Sequence, residues 1–124
     1  MIKTLFIAAF MMAAVPAFAQ DTPAADEAAL SAEAMALAKT NYDDFCAACH
    51  AANGSGDIGP SLRGNGKLAD AAFVYRQIAQ GGSEMPGFVD VLSTDELLAL
   101  ATYVRTNFGN DYGPVTEEDA GLAE

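Results

Sequence analysis

The chain has 124 residues, room for one small domain and not two. It carries 17 acids against 6 bases, one His, two Cys and no Trp. So acidic a surface repels phosphate backbones and anionic lipid, which excludes nucleic-acid binding, and the counts exclude a multi-histidine metal cage or a multi-disulfide scaffold.

Residues 1–19 read MIKTLFIAAFMMAAVPAFA. Lys3, an apolar run over 5–15 and the triplet Ala17-Phe18-Ala19 have the anatomy of a secretory signal cleaved after Ala19. A retained anchor is the competing reading, but the run falls short of the roughly 20 apolar residues that a bilayer of ~30 Å requires. The expectation is a soluble periplasmic protein with no membrane insertion of the mature chain. Export removes Lys3, leaving 17 acids against 5 bases, and places both cysteines in an oxidising compartment.

Residues 20–30 are acidic and alanine-rich, a predicted flexible segment. A first helix is expected from Ser31 as N-cap, with Glu33 in its first turn. Met35, Ala38, Tyr42, Phe45 and Cys49 recur at helical spacing, and the stripe runs into Cys46-Ala47-Ala48-Cys49-His50. Residues 51–67 hold five glycines and a proline, so they form a loop. A second helix is predicted over 70–80, capped by Asp70, stopped by Gly81, and buried through Val74 and Ile78. Another loop over 81–91 contains Met85-Pro86-Gly87-Phe88.

The last helix begins with a capping box from Ser93 to Glu96, flanked by a Leu92–Leu97 staple. Leu97, Leu100, Ala101, Val104 and Phe108 give its apolar face, and Gly109 its end. Residues 110–124 read as a loose acidic tail, which sets the domain at 31–109. No alternating run of β-branched residues occurs, so the expected fold is all-α: about three main helices joined by long loops. Ordered loops that long need something to pack against, and a large apolar ligand would supply it.

Cys46-x-x-Cys49-His50 is the attachment signature of c-type haem: two thiols for the porphyrin vinyl groups and an imidazole for the iron. Three other readings compete. A Cys46–Cys49 disulfide would close a very short loop and contribute little. A thioredoxin-like pair lacks its βαβ setting. A zinc site would lack a fourth nitrogen or sulfur ligand. The other axial ligand follows by elimination. Met1, Met11 and Met12 leave with the leader, Met35 lies about three turns upstream on the attachment helix, and Met85 sits in a loop free to cross. His50/Met85 ligation fills both axial positions and raises the potential.

These residues resemble the small class I cytochromes c. The resemblance runs from about Ala38 to Phe108 through Cys46-Ala47-Ala48-Cys49-His50, Gly56-Asp57-Ile58-Gly59-Pro60-Ser61-Leu62-Arg63-Gly64 and Ile78-Ala79-Gln80-Gly81-Gly82-Ser83-Glu84-Met85-Pro86-Gly87-Phe88. It implies a cytochrome c-like fold around one covalently attached haem c and electron transfer rather than catalysis. It also implies that Pro60 lends its carbonyl to the proximal imidazole N–H, that Leu62 packs on the haem, and that Ala38 and Tyr42 cross Leu100 and Tyr103. The tryptophan that many members place near a propionate is absent, leaving Arg63, Tyr75 and Arg76 as candidates.

The resulting functional expectation is a one-electron carrier, monomeric when free, for redox partners with basic docking patches. Ala48, Ala51, Gly87 and Phe88 are the expected contact rim. Two alternatives stand beside it. One is a subunit of a larger periplasmic dehydrogenase, since Tyr103 to Asn110 look like the ends of cytochrome modules found with quinoprotein alcohol dehydrogenases. The other is a haem sensor or peroxidase, against which Met85 argues.

Overall fold

The computed structural model describes residues 31–123; the leader and the acidic segment 20–30 lie outside the described residues. Helix α1 spans Ala32–Phe45, α2 Ala47–His50, α3 Ala71–Gln80 and α4 Thr94–Thr106, with a 3-10 turn at Gly66–Ala69 before α3. No strand forms among the described residues, only an isolated antiparallel bridge between Gly82 and Met85. The all-α expectation holds. Among the described residues, no helix is long and apolar enough to cross a membrane.

The helix starts are set locally. Ser31 Oγ accepts from Ala34 N–H, and Asp70 Oδ1 accepts from Phe73 N–H at 2.9 Å. Ser93 and Glu96 form the reciprocal capping box. Each satisfies donors that the first turn would otherwise leave unpaired. Gly81, at φ 70°, ends α3. An L side chain is disfavoured there, and a Cβ would also run into the Met85 carbonyl oxygen.

The core is the crossing of α1 on α4. Ala38, Tyr42, Leu97, Leu100 and Ala101 are all essentially sealed from solvent. Ala38 is small enough to let the helices approach over Leu100, and the Tyr42 and Tyr103 rings pack with centroids 5.7 Å apart. Each fully buried large side chain contributes on the order of 1.5–3 kcal/mol. Helix α3 packs against α4, and its Val74 and Ile78 are buried.

Two expectations fail at the C-terminal end. Helix α4 stops at Thr106, so Phe108 does not continue its apolar face. Phe108 takes φ 59° and turns back onto Tyr42, ring centroids 4.9 Å apart, and onto Gly54. Burying an aromatic ring outweighs the ~1–2 kcal/mol cost of that backbone.

The segment after it is also not loose. Val115 is buried, and its N–H donates to Thr102 Oγ1 at 2.9 Å. Arg105, itself buried, donates to the carbonyls of Leu68, Ala69, Gly113 and Pro114. The tail composition is acidic, but residues 110–115 are held by a cation on the preceding helix and by one apolar anchor.

Candidate functional site

The stripe along α1 breaks at Cys46, a turn residue whose N–H still bonds Tyr42 O at 2.9 Å. The chain restarts as the single turn of α2, with His50 N–H bonded to Cys46 O at 2.9 Å. Cys46, Cys49 and His50 are thereby fixed by helical geometry on one short element.

The glycine loop that follows wraps back onto this turn. Gly59 N–H donates to Cys49 O at 2.8 Å, and Gly56 N–H to His50 O at 2.9 Å. This brings Pro60 O to 2.8 Å from His50 Nδ1. A carbonyl can only accept, so Nδ1 carries the proton and Nε2 keeps its lone pair. Gly59 lies flat on the imidazole, where a Cβ would stand 2.8 Å from His50 Cε1. The ring therefore has one orientation and one tautomer.

His50 lines a cavity of about 570 Å³. Cys46, Cys49 and Pro60 border it beside His50, and Met85 enters from the loop after α3. The remaining wall is largely apolar: Leu62, Leu68, Val74, Ile78, Phe88 and Val104. All six are buried. The sequence-predicted site residues Cys46, Cys49, His50, Pro60, Leu62 and Met85 are thus brought to one cavity.

Met85 is itself clamped. Its N–H donates to Gly82 O and its carbonyl accepts from Gly82 N–H, both at 2.9 Å, closing a tight turn through Ser83 at φ 53°. Gly87 lies on the carbonyl end of α3, with no room for a Cβ against Ala79 and Gln80.

The two cysteines are free thiols rather than a disulfide. Burial, reinforced by neighbouring Cys49, pushes the Cys46 thiol up to about 11, so it is a protonated thiol at neutral pH. Among the described residues, no cluster of three or more His, Cys, Asp or Glu is arranged to hold a bare metal ion. The zinc and disulfide readings therefore find no support here.

Arg63, Tyr75 and Arg76 are not among the residues that line the cavity; the two arginines are exposed and Tyr75 is buried. The polar groups at the cavity are instead Asn65, Lys67, Gln77, Ser83 and Glu84. Phe88 is buried, its ring tilted against Phe45 with centroids 5.6 Å apart, and so leaves the expected contact rim. Ala48 and Gly87 are exposed and Ala51 is half-buried, while Ile58, 79% exposed, and Phe45 are exposed large apolar side chains on the cavity lining.

Asn110 was also missed. It accepts from Gly64 N–H and donates to Leu62 O, both at 2.8 Å, tying the loop after the site to the end of α4. Its place beyond a helix end resembles any turn asparagine, so no local signal marks it.

Residues 33–104 match the family described as cytochrome c oxidase, cbb3-type, subunit III. The chain is 36% identical over 72 residues to cytochrome c-550 of Bacillus subtilis (strain 168), a match spanning 58% of each protein. Its fold is similar to cytochrome cL of Methylophaga aminisulfidivorans, with a TM-score of 0.57 and 21% identity over 77% of this chain and 64% of that one. Cytochrome cL of Hyphomicrobium denitrificans gives 0.53 and 23% over 73% and 61%. The chain thus spans less than two thirds of the length of these relatives. With its cavity, its Cys-x-x-Cys-His turn and this family match, the chain belongs to the cytochrome c oxidase cbb3-type subunit III family, and is a small class I c-type cytochrome.

Proposed function

We propose that the protein is a periplasmic one-electron carrier that holds a single haem c on Cys46 and Cys49, with His50 and Met85 as axial ligands. The donor set fits that group: two thiols one helical turn apart, an imidazole with Nε2 free and a thioether, all on one largely apolar cavity. The observation that carries the reading is the His50 Nδ1–Pro60 O bond, which leaves only Nε2 available to a metal. The haem supplies a one-electron ferric/ferrous couple.

The chain's own residues do the rest. Cys46 and Cys49 would hold the group by thioether bonds, and Pro60 and Gly59 would keep the imidazole in place. Leu62, Leu68 and Val104 would exclude water, while Asn65 and Lys67 would supply polar groups at the cavity for a propionate. With His50 and Met85 both holding the iron, no position on it would remain open for oxygen, peroxide or substrate.

Replacing Met85 by Ala tests this reading. The reduced wild-type protein is expected to bind carbon monoxide slowly, and Met85→Ala to bind it readily at a lower midpoint potential. Equally fast binding by both would favour the sensor or peroxidase alternative.

A second reading, a cytochrome subunit held within a larger complex such as a periplasmic dehydrogenase, is favoured by the matching family's description as an oxidase subunit. Isolation of the native protein from periplasm separates the two. A free cytochrome supports the shuttle, and a stoichiometric larger oxidoreductase supports the subunit. In either case, the excess of acids over bases calls for a partner with a basic docking face around Ala48, Ile58 and Gly87. A partner with an acidic face would contradict that part of the proposal.

A further inference from the structure

Exposed apolar side chains scattered singly are ordinary, but a cluster of them marks a contact surface. Among the described residues, the exposed large apolar side chains are Leu37, Phe45, Ile58, Val89, Val91 and Leu122. Four of them, Leu37, Phe45, Val89 and Val91, gather along one seam. Leu37 and Phe45 stand about two turns apart on α1, or about 12 Å along its axis. Leu37 borders a surface hollow of about 70 Å³ together with Asp95 and Glu96 at the start of α4. The Phe45 ring packs on Phe88, centroids 5.6 Å apart. The stretch 88–96 therefore runs beside this stripe of α1, and Val89 and Val91 lie within it.

The backbone there is tied in place. Phe88 and Val89 N–H both donate to Ala79 O, and Val91 and Leu92 N–H both donate to Phe88 O. Phe88 and Leu92 are buried, which holds the valines between them outward, 58% and 61% exposed. Leu37, Val89 and Val91 are not among the residues that line the cavity, so a haem would cover none of them.

Charge says what would. Asp44, Asp90 and Asp95 are exposed on the same two stretches. Over 31–46 and 88–99 the one base is Lys39, two positions on from Leu37, hence on the far side of the helix, and bonded to Asp43. An apolar seam with acids beside it and no base suits a partner that brings an apolar face flanked by bases. Two other occupants are disfavoured by the same argument. Residues 20–30 adjoin α1 but carry Asp21, Asp26 and Glu27 and no base. A second copy would bring its own 17 acids against 6 bases.

We propose that this seam is a docking face for an amphipathic helix of a partner protein, its apolar stripe bordered by lysines or arginines. Helices seat in this way through anchors about one turn apart, and about 12 Å of seam accommodates two turns. A partner held at Leu37 and Val91 need not cover the cavity edge at Ala48, Ile58 and Gly87. The proposal goes beyond the electron-carrier reading and does not depend on which side chains bind the iron.

The test uses the full haem-loaded chain, reduced, and a synthetic lysine–leucine peptide with leucines at helical spacing. A scrambled peptide of the same composition has the charge without the apolar face. Amide chemical shifts are followed during titration near 0.15 M salt, where charges more than about 8 Å apart are screened. The largest shifts should fall on residues 37–45 and 88–92, and the scrambled peptide should bind about tenfold more weakly. Leu37→Ser with Val91→Ser should also weaken binding about tenfold, while Ile58→Ser leaves it unchanged. Leu37 and Val91 are exposed, so their replacement spares the core. Equal binding of the two peptides, or no loss in the Leu37, Val91 double variant, would overturn the proposal. So would shifts centred on Ile58 and Gly87, which would make the cavity edge the docking face. Sedimentation of the chain alone as a dimer that the double variant abolishes would give the seam to a second copy, and equally overturn it.

Discussion

The hydroxyl of Tyr42 donates to the carbonyl oxygen of Ala51 at 2.8 Å, joining the core helix to the first residue after the Cys-x-x-Cys-His turn. Tyr42 is completely buried, and burial pushes its hydroxyl up to about 12, so it stays a donor at any ordinary pH. Ala51 leaves the turn at φ 63°, a backbone that alanine seldom adopts. The hydrogen bond therefore stabilises the exit from the site at its least favourable residue.

Tyr42→Phe keeps the ring and deletes only the hydroxyl. Denaturant unfolding of the haem-loaded protein should show a loss of about 0.5–1.5 kcal/mol, because the Ala51 carbonyl loses one of its two donors and keeps only Gly54 N–H. A variant as stable as the parent would show that water replaces the hydroxyl without cost.

Gly59→Ala should press on the proximal imidazole. A Cβ there lies 2.8 Å from His50 Cε1, and the ring cannot retreat while Nδ1 is held by Pro60. The expected cost is about 1–3 kcal/mol, as for other overpacked sites, together with a shifted midpoint potential. An unchanged potential and stability would mean that the loop moves away and the ring is not confined.

Arg105→Met retains the bulk of the stem and removes the donors to four carbonyls on two segments. About 2–4 kcal/mol of stability should be lost. Limited proteolysis should also begin to cut within residues 110–115, which Arg105 and Val115 anchor. Continued resistance there would show that Val115 holds the segment without the arginine.

Much of this was legible beforehand because it is written locally. Ser31, Asp70 and the Ser93–Glu96 box cap the helices where their residue types indicate, and the Cys46–His50 signature needs only one turn of helix. What escaped depends on contacts distant in sequence. Phe108 leaves α4 because Gly54, over fifty positions earlier, makes room for its ring. Arg105 is buried because carbonyls at Leu68, Ala69, Gly113 and Pro114 converge on it, and a lone arginine in a helix gives no sign of that.

The capping box gives a pH dependence. Hydrogen bonds from the Ser93 backbone and hydroxyl hold the Glu96 carboxyl below its ordinary value of 4.5. A carboxylate whose folded value is depressed adds stability above the unfolded value, and that stability is lost as pH falls through the folded one. Glu96→Gln should therefore flatten the stability profile below about pH 4.5 while remaining nearly as well capped. If both proteins lose stability in parallel there, other carboxylates govern the acid limb.

The central claim is that this fold is organised around a haem bonded to Cys46 and Cys49. It is tested most directly by mass spectrometry of the protein made in a host with haem-attachment machinery, with acid-acetone extraction in parallel. The account predicts a chain heavier by one haem, with the pigment staying on the polypeptide, and loss of both in the Cys46→Ala, Cys49→Ala double variant. Haem that extracts freely, or a colourless chain of unmodified mass, would contradict it.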